Sequence, residues 1–119
     1  MKKLFIAAFM FVSSFGTNVM ADGHSIKMGI ILGFTGPIES LTPAMAASAE
    51  LAFKEASDSG SLLGGKKIEV VRADSTCVDS AAATAAAEGV ISQGVAAIMG
   101  ADCSGVTGAI ASNLSLIHI

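Results

Sequence analysis

Apolar and polar positions follow two rhythms along this chain. Ile26–Leu32, Lys67–Ala73 and Val95–Met99 are short, largely apolar runs. Runs of this length fit strands, and the near-continuous first one fits a strand buried on both faces. The second alternates in part, with Lys67, Glu69 and Arg72 reaching water, which predicts an edge strand. Between and after these runs, apolar residues recur at helical spacing. Leu41, Met45, Ala49, Ala52, Phe53 and Ala56 form one stripe; Ala82, Ala85, Ala86, Gly89 and Val90 a second; Val106, Ala109, Ile110 and Leu114 a third.

Punctuation between the runs agrees. Thr42-Pro43 opens the first helix, with Thr42 as its cap and Pro43 at the first helical position. Glu50 and Lys54 stand one turn apart as a surface pair, and Gly60 ends the helix. Leu62–Lys66 reads as a turn into the second strand. Asp79 or Thr76 caps the second helix, Ala81–Ser92, whose alanine content favours helix over a low-complexity linker. Gln93-Gly94 closes it, and Ser104 is placed to cap the third. The fold class is therefore α/β: a Rossmann-like parallel sheet with βαβαβα order and right-handed crossovers. Open sheets of this kind bind ligands at the carboxyl ends of their strands. That draws attention to Val95–Gly105, where a strand breaks at Gly100 into a polar loop and delivers it to a helix N-terminus.

Candidate chemistry narrows the choice. Gly33-Phe34-Thr35-Gly36-Pro37 lacks the Gly-Lys-Ser/Thr ending of a phosphate-binding loop and the glycine spacing of a dinucleotide fingerprint. No cofactor is expected. Nor does this loop supply the acids of a flavodoxin-like receiver. Cys103 or Ser104 could act as a nucleophile only with a base in reach. The two histidines, His24 and His118, lie near the ends, so no enzyme is expected. No His/Cys cluster has metal-ligand spacing. The formal charge of −3, with few and scattered basic residues, gives no nucleic-acid footprint.

Part of the 52% hydrophobic content belongs to Met1–Ala21: two lysines, an apolar core Leu4–Val12, then small and polar residues. This is the layout of a secretory signal peptide, with cleavage expected after Ala21. The core is shorter than the roughly 20 residues a spanning helix needs, and no cysteine offers a lipoprotein anchor. Without its two lysines and with all ten acids kept, the mature chain carries −5. Export changes how Cys77 and Cys103 read. In an oxidising compartment an even pair is more often a disulfide. Both follow predicted strands that would be neighbours, and closing this loop is worth about 3 kcal/mol. Two buried free thiols are the other reading.

Taken in order, several motifs resemble one family. They are Ile26-Lys27-Met28-Gly29-Ile30, Thr35-Gly36-Pro37, Leu51-Ala52-Phe53 with its Gly-rich exit, Asp74–Cys77 and Gly100–Ser104. Residues 26–113 resemble the first lobe of type I periplasmic binding proteins, in the branched-chain amino-acid group of ABC-transporter substrate-binding proteins. The resemblance implies a partial first lobe over residues 22–113. It implies capture of a small amino acid, delivery to a membrane permease, and a monomer when complete. Its leucine/isoleucine/valine members carry a disulfide where Cys77 and Cys103 fall. Ser104 aligns with a serine that contacts the ligand α-carboxylate. Leu41 aligns near the ligand side chain, at a position often aromatic in the family. Thr107, one turn into the helix, is a lesser ligand candidate. Asp102 would repel an anion nearby, so its side chain is expected to point away, or the ligand to carry an ammonium there. Urea, short amides and aromatic acids are the other ligands considered. Residues 114–119 depart from the family and read as an atypical tail from sequencing-adapter read-through, or else as a final edge strand. A fragment of this size is expected to fold poorly by itself and to bind no amino acid measurably.

Overall fold

The computed structural model describes residues 25–118, with side chains to Leu114. The leader Met1–Ala21 and its cut lie outside the described residues, as does His24. Six main elements follow in the expected order: β1 (Ser25–Leu32), α1 (Thr42–Asp58), β2 (Lys67–Asp74), α2 (Ser80–Ser92), β3 (Ala97–Met99) and α3 (Ser104–His118). A single 3₁₀ turn, Leu62–Gly64, precedes β2.

The strands form one parallel sheet in the order β2-β1-β3, so β2 takes an edge as predicted. β1 pairs along its whole length with β2, from Ser25 opposite Lys67 to Leu32 opposite Asp74. With β3 it pairs only from Met28 opposite Ala97 to Ile30 opposite Met99. The predicted third strand thus loses Val95 and Ala96 from the ladder, although the Ala96 N–H still donates to the Lys27 carbonyl at 2.8 Å.

Successive side chains of a strand face opposite ways, and β1 feeds two cores. Ile30 and Leu32 pack with Ala46, Phe53, Val70 and Met99 under α1. Ile31 packs with Ala87, Val90, Ile98 and Ile110 under α2 and α3. All three β1 residues are fully buried, each contributing about 1.5–3 kcal/mol of hydrophobic stabilisation.

Three local expectations change. The inner face of α1 keeps Ala49 and Phe53 of the predicted stripe, half-buried against the core, but its fully buried positions are Thr42, Ala46 and Ser57, while Leu41, Met45 and Ala52 face outward. Thr42 and Ser57 belong to the inner row because their hydroxyls have backbone partners. Thr42 Oγ1 donates to the Gly33 carbonyl at 3.0 Å. Ser57 Oγ donates to the Phe53 carbonyl and accepts the Ile68 N–H, each at 2.9 Å. Thr42 is therefore a tie to the first loop, and makes no side-chain cap. In α2 the buried positions are Ala83, Ala87 and Val90; a face of uniform alanine gives no contrast to orient it. Asp79 does cap this helix, accepting the Ala81 and Ala82 N–H groups at 2.9 and 3.0 Å.

The expected Glu50–Lys54 pair is not formed. Lys54 pairs with Asp58, and Glu50 takes the Arg72 guanidinium of β2 in a two-pronged contact at 2.6 and 2.7 Å. Arg72 holds the Glu50 carboxyl below the usual range. Residues 114–118 continue α3, so among the described residues the tail forms no edge strand.

Candidate functional site

Three loops meet at the carboxyl ends of the strands: residues 33–41 after β1, 75–79 after β2 and 100–103 after β3. The second and third are joined covalently. Cys77 and Cys103 form a disulfide with their Cα atoms 5.3 Å apart, so the free-thiol reading falls away.

The first and second loops are joined through Asp74, the last residue of β2. Its carboxylate accepts the Thr35 hydroxyl, the Thr35 N–H at 3.3 Å and the Thr76 N–H at 2.8 Å. Partial burial raises the Asp74 pKa, but the hydrogen bonds from Thr35, Thr76 and Phe34 outweigh it, and the carboxyl sits below its usual range. The stabilisation is therefore complete above the unfolded-state value of about 4. It is lost as pH falls through the lower folded-state value. The gap in urea midpoint between wild type and Asp74→Asn is thus expected to be widest near neutral pH and to shrink below about pH 4. A gap independent of pH would contradict this.

Backbone geometry keeps these loops close. Thr76 and Cys77 have φ of 57° and 70°, a left-handed conformation uncommon for such residues. Gly36 has φ of 98°, and a Cβ there would stand 2.5 Å from the Thr76 carbonyl oxygen. The Arg72 guanidinium lies 5.6 Å from the centre of the Phe34 ring, within cation–π range, and so holds the first loop to β2.

The predicted ligand residues lie at or beside this edge. Ser104 is exposed and is the first residue of α3. The Thr107 N–H makes the first helical bond there, to the Cys103 carbonyl at 2.9 Å. Ser104 is thus inside the helix start, one residue after the position a cap would hold. The N–H groups ahead of that bond belong to the first turn, where an anion is favoured. Leu41 stands 61% exposed just before α1. The Thr107 hydroxyl faces two backbone acceptors, the Ala101 and Cys103 carbonyls at 3.0 and 2.8 Å, so it braces the third loop from within.

Asp102 turns its carboxylate to the Gly33 N–H, at 3.0 and 3.2 Å to its two oxygens. Nothing in the spacing of the sequence marked this contact, because the partners lie 69 positions apart. Among the described residues no group of three His, Cys, Asp or Glu could hold a metal ion. A hollow of about 360 Å³ opens at the opposite, amino end of the strands, lined by Ile26, Met28, Phe53, Leu62 and Ile68 among others. Its wall is apolar and offers nothing to the charged groups of an amino acid.

Comparison with known proteins adds to this geometry. A family model described as "Periplasmic binding protein" matches residues 25–116, three residues beyond the boundary expected at Asn113. The chain is similar to the structure of the branched-chain amino acid transporter substrate binding protein LivJ from Streptococcus pneumoniae in complex with isoleucine. Identity is 30% and the TM-score 0.67, over 77% of this chain and 26% of that one. It is similar also to a leucine binding protein, LivK, from Thermotoga maritima, at 27% identity and a TM-score of 0.55, over 74% of this chain and 24% of that one. The chain thus spans about a quarter of the length of each. No curated protein sequence matches it significantly.

Proposed function

The chain belongs to the periplasmic binding protein family, and from that premise we propose that it forms the opening part of the first lobe of a solute-binding protein for an ABC importer. In this reading residues 1–21 direct export and residues 22–113 fold as the lobe in the periplasm. The completed protein captures a small amino acid, of branched-chain type, and hands it to a membrane permease. It performs binding and no catalysis.

One observation carries the reading: α3 starts with exposed Ser104, directly after a cysteine locked to the neighbouring loop. A helix start presents N–H groups and the positive end of the helix dipole. The ligand α-carboxylate docks there, accepting from the Ser104 hydroxyl and first-turn amides. The space beside Gly105 is open, since a Cβ there would meet nothing within 4 Å. Exposed Leu41 faces the ligand side chain from the start of α1, and Thr107 contributes by steadying the loop that carries Ser104.

In the full-length protein, Ser104→Ala is expected to weaken isoleucine binding about tenfold, the effect of losing one hydrogen bond to a charged group. Isothermal titration reads it. Binding of isoleucine with unchanged affinity in the variant would remove Ser104 from the site.

A further inference from the structure

We propose that Asp102 is a positioning residue for the amino-acid site, closing a triangle of links that fixes the three loops relative to one another. The inference rests on the ligand reading above and adds to it a residue that touches no ligand.

The links are of different kinds. The disulfide joins the second loop to the third. Asp74 at the end of β2, through Thr35, joins the second to the first. Neither of these two links joins the first loop to the third. Among the described hydrogen bonds between side chains and backbone, the one that joins the first loop directly to the third is Asp102 to Gly33. Its reach is extended on both sides. The Gly33 carbonyl accepts from Thr42 Oγ1 of α1 at 3.0 Å, so the residue is held through its N–H and its C=O together. Ser75 Oγ, on a fully buried residue of the second loop, donates to the same Asp102 carboxylate at 3.5 Å, a weak contact. The Ser75 N–H donates to the Leu32 carbonyl at 2.9 Å.

Placement gives the triangle its consequence. Asp102 is two residues before Ser104, and Gly33 opens the loop that ends at Leu41. A tie between them sets the distance between the helix start that takes the ligand carboxylate and the segment that meets its side chain. A carboxylate beside an anion site also carries an electrostatic cost. Its two roles therefore separate by substitution. Asp102→Asn keeps an oxygen for the Gly33 N–H and removes the charge. Asp102→Ala removes both.

The experiment uses the full-length protein, titrated with isoleucine, with amide hydrogen exchange at Gly33 read in the absence of ligand. Positioning predicts that Asp102→Ala binds about tenfold more weakly and exchanges the Gly33 amide faster. Asp102→Asn binds at least as tightly as wild type. Three outcomes overturn the proposal. If both variants bind more tightly, Asp102 acts only through its charge. If Asp102→Ala melts earlier yet binds as wild type does, the tie is merely structural. If Gly33 exchange is unchanged in Asp102→Ala, the tie does not exist. Should wild type bind no amino acid at all, the ligand reading fails, and Gly33 exchange alone then decides whether Asp102 fixes the loops.

Discussion

Replacing Gly100 by alanine is expected to remove a large share of the protein's stability. Gly100 follows β3 directly and has φ of 123°, outside the range of residues with a side chain. A Cβ there would lie 1.9 Å from the Ile31 carbonyl oxygen and 2.9 Å from its carbon. Neither can give way, because Ile31 is fully buried in the central strand. Strain and overpacking each cost about 1–3 kcal/mol. Together they take roughly 2–6 kcal/mol from a domain whose whole stability is of order 5–15 kcal/mol. Gly89→Ala is the control: its site on α2 is exposed and a Cβ meets nothing within 4 Å. It should be stabilising by about 0.5–1 kcal/mol. Thermal melts of the two variants in the full-length protein check the contrast. A Gly100→Ala melt close to that of wild type would contradict the packing described here.

Loss of the disulfide is expected to be the next largest effect. Cys77 and Cys103 are separated by 26 positions, and a loop of this size is worth about 3–4 kcal/mol in the chain-entropy model. The bond also supports a backbone that resists it, since Thr76 and Cys77 are both left-handed and such residues persist only where their surroundings hold them. Cys77→Ala/Cys103→Ala should therefore lower the urea midpoint by an amount equivalent to about 3 kcal/mol. It should weaken ligand binding as well, because the freed loop carries Ser104. Adding reductant to wild type should give the same midpoint. An unchanged midpoint in the double variant would contradict the account.

The order of strands and helices could be read from the sequence because apolar runs and helical spacing are local signals. Ile26–Leu32 differs from β1 by a single residue, and β2 by one at its far end. Helix faces were harder. In α1 the buried row contains Thr42 and Ser57, polar by type but paired with backbone in place, while Leu41, Met45 and Leu51 stay exposed. A rule that ranks residues by hydrophobicity keeps Ala49 and Phe53 on the inner face but puts Leu41 and Met45 where Thr42 and Ala46 belong. The Glu50–Arg72 contact was missed for a related reason: the partner one turn away is visible in the sequence, and the partner on the adjacent strand is not. The site shows the same division. The position of the two cysteines after neighbouring strands is legible in the sequence, and the disulfide follows it, whereas Ser104 and Leu41 enter as ligand candidates through family resemblance. Asp102 and Asp74 gained roles only when the fold placed Gly33 and Thr35 against them.

The central claim is that the carboxyl edge of this sheet is one wall of an amino-acid site. Calorimetric titration of the full-length protein with isoleucine, beside urea and an aromatic acid, tests it most directly. The account predicts saturable one-to-one binding of isoleucine, and none of urea. Saturable binding of urea or the aromatic acid, with isoleucine silent, would contradict it.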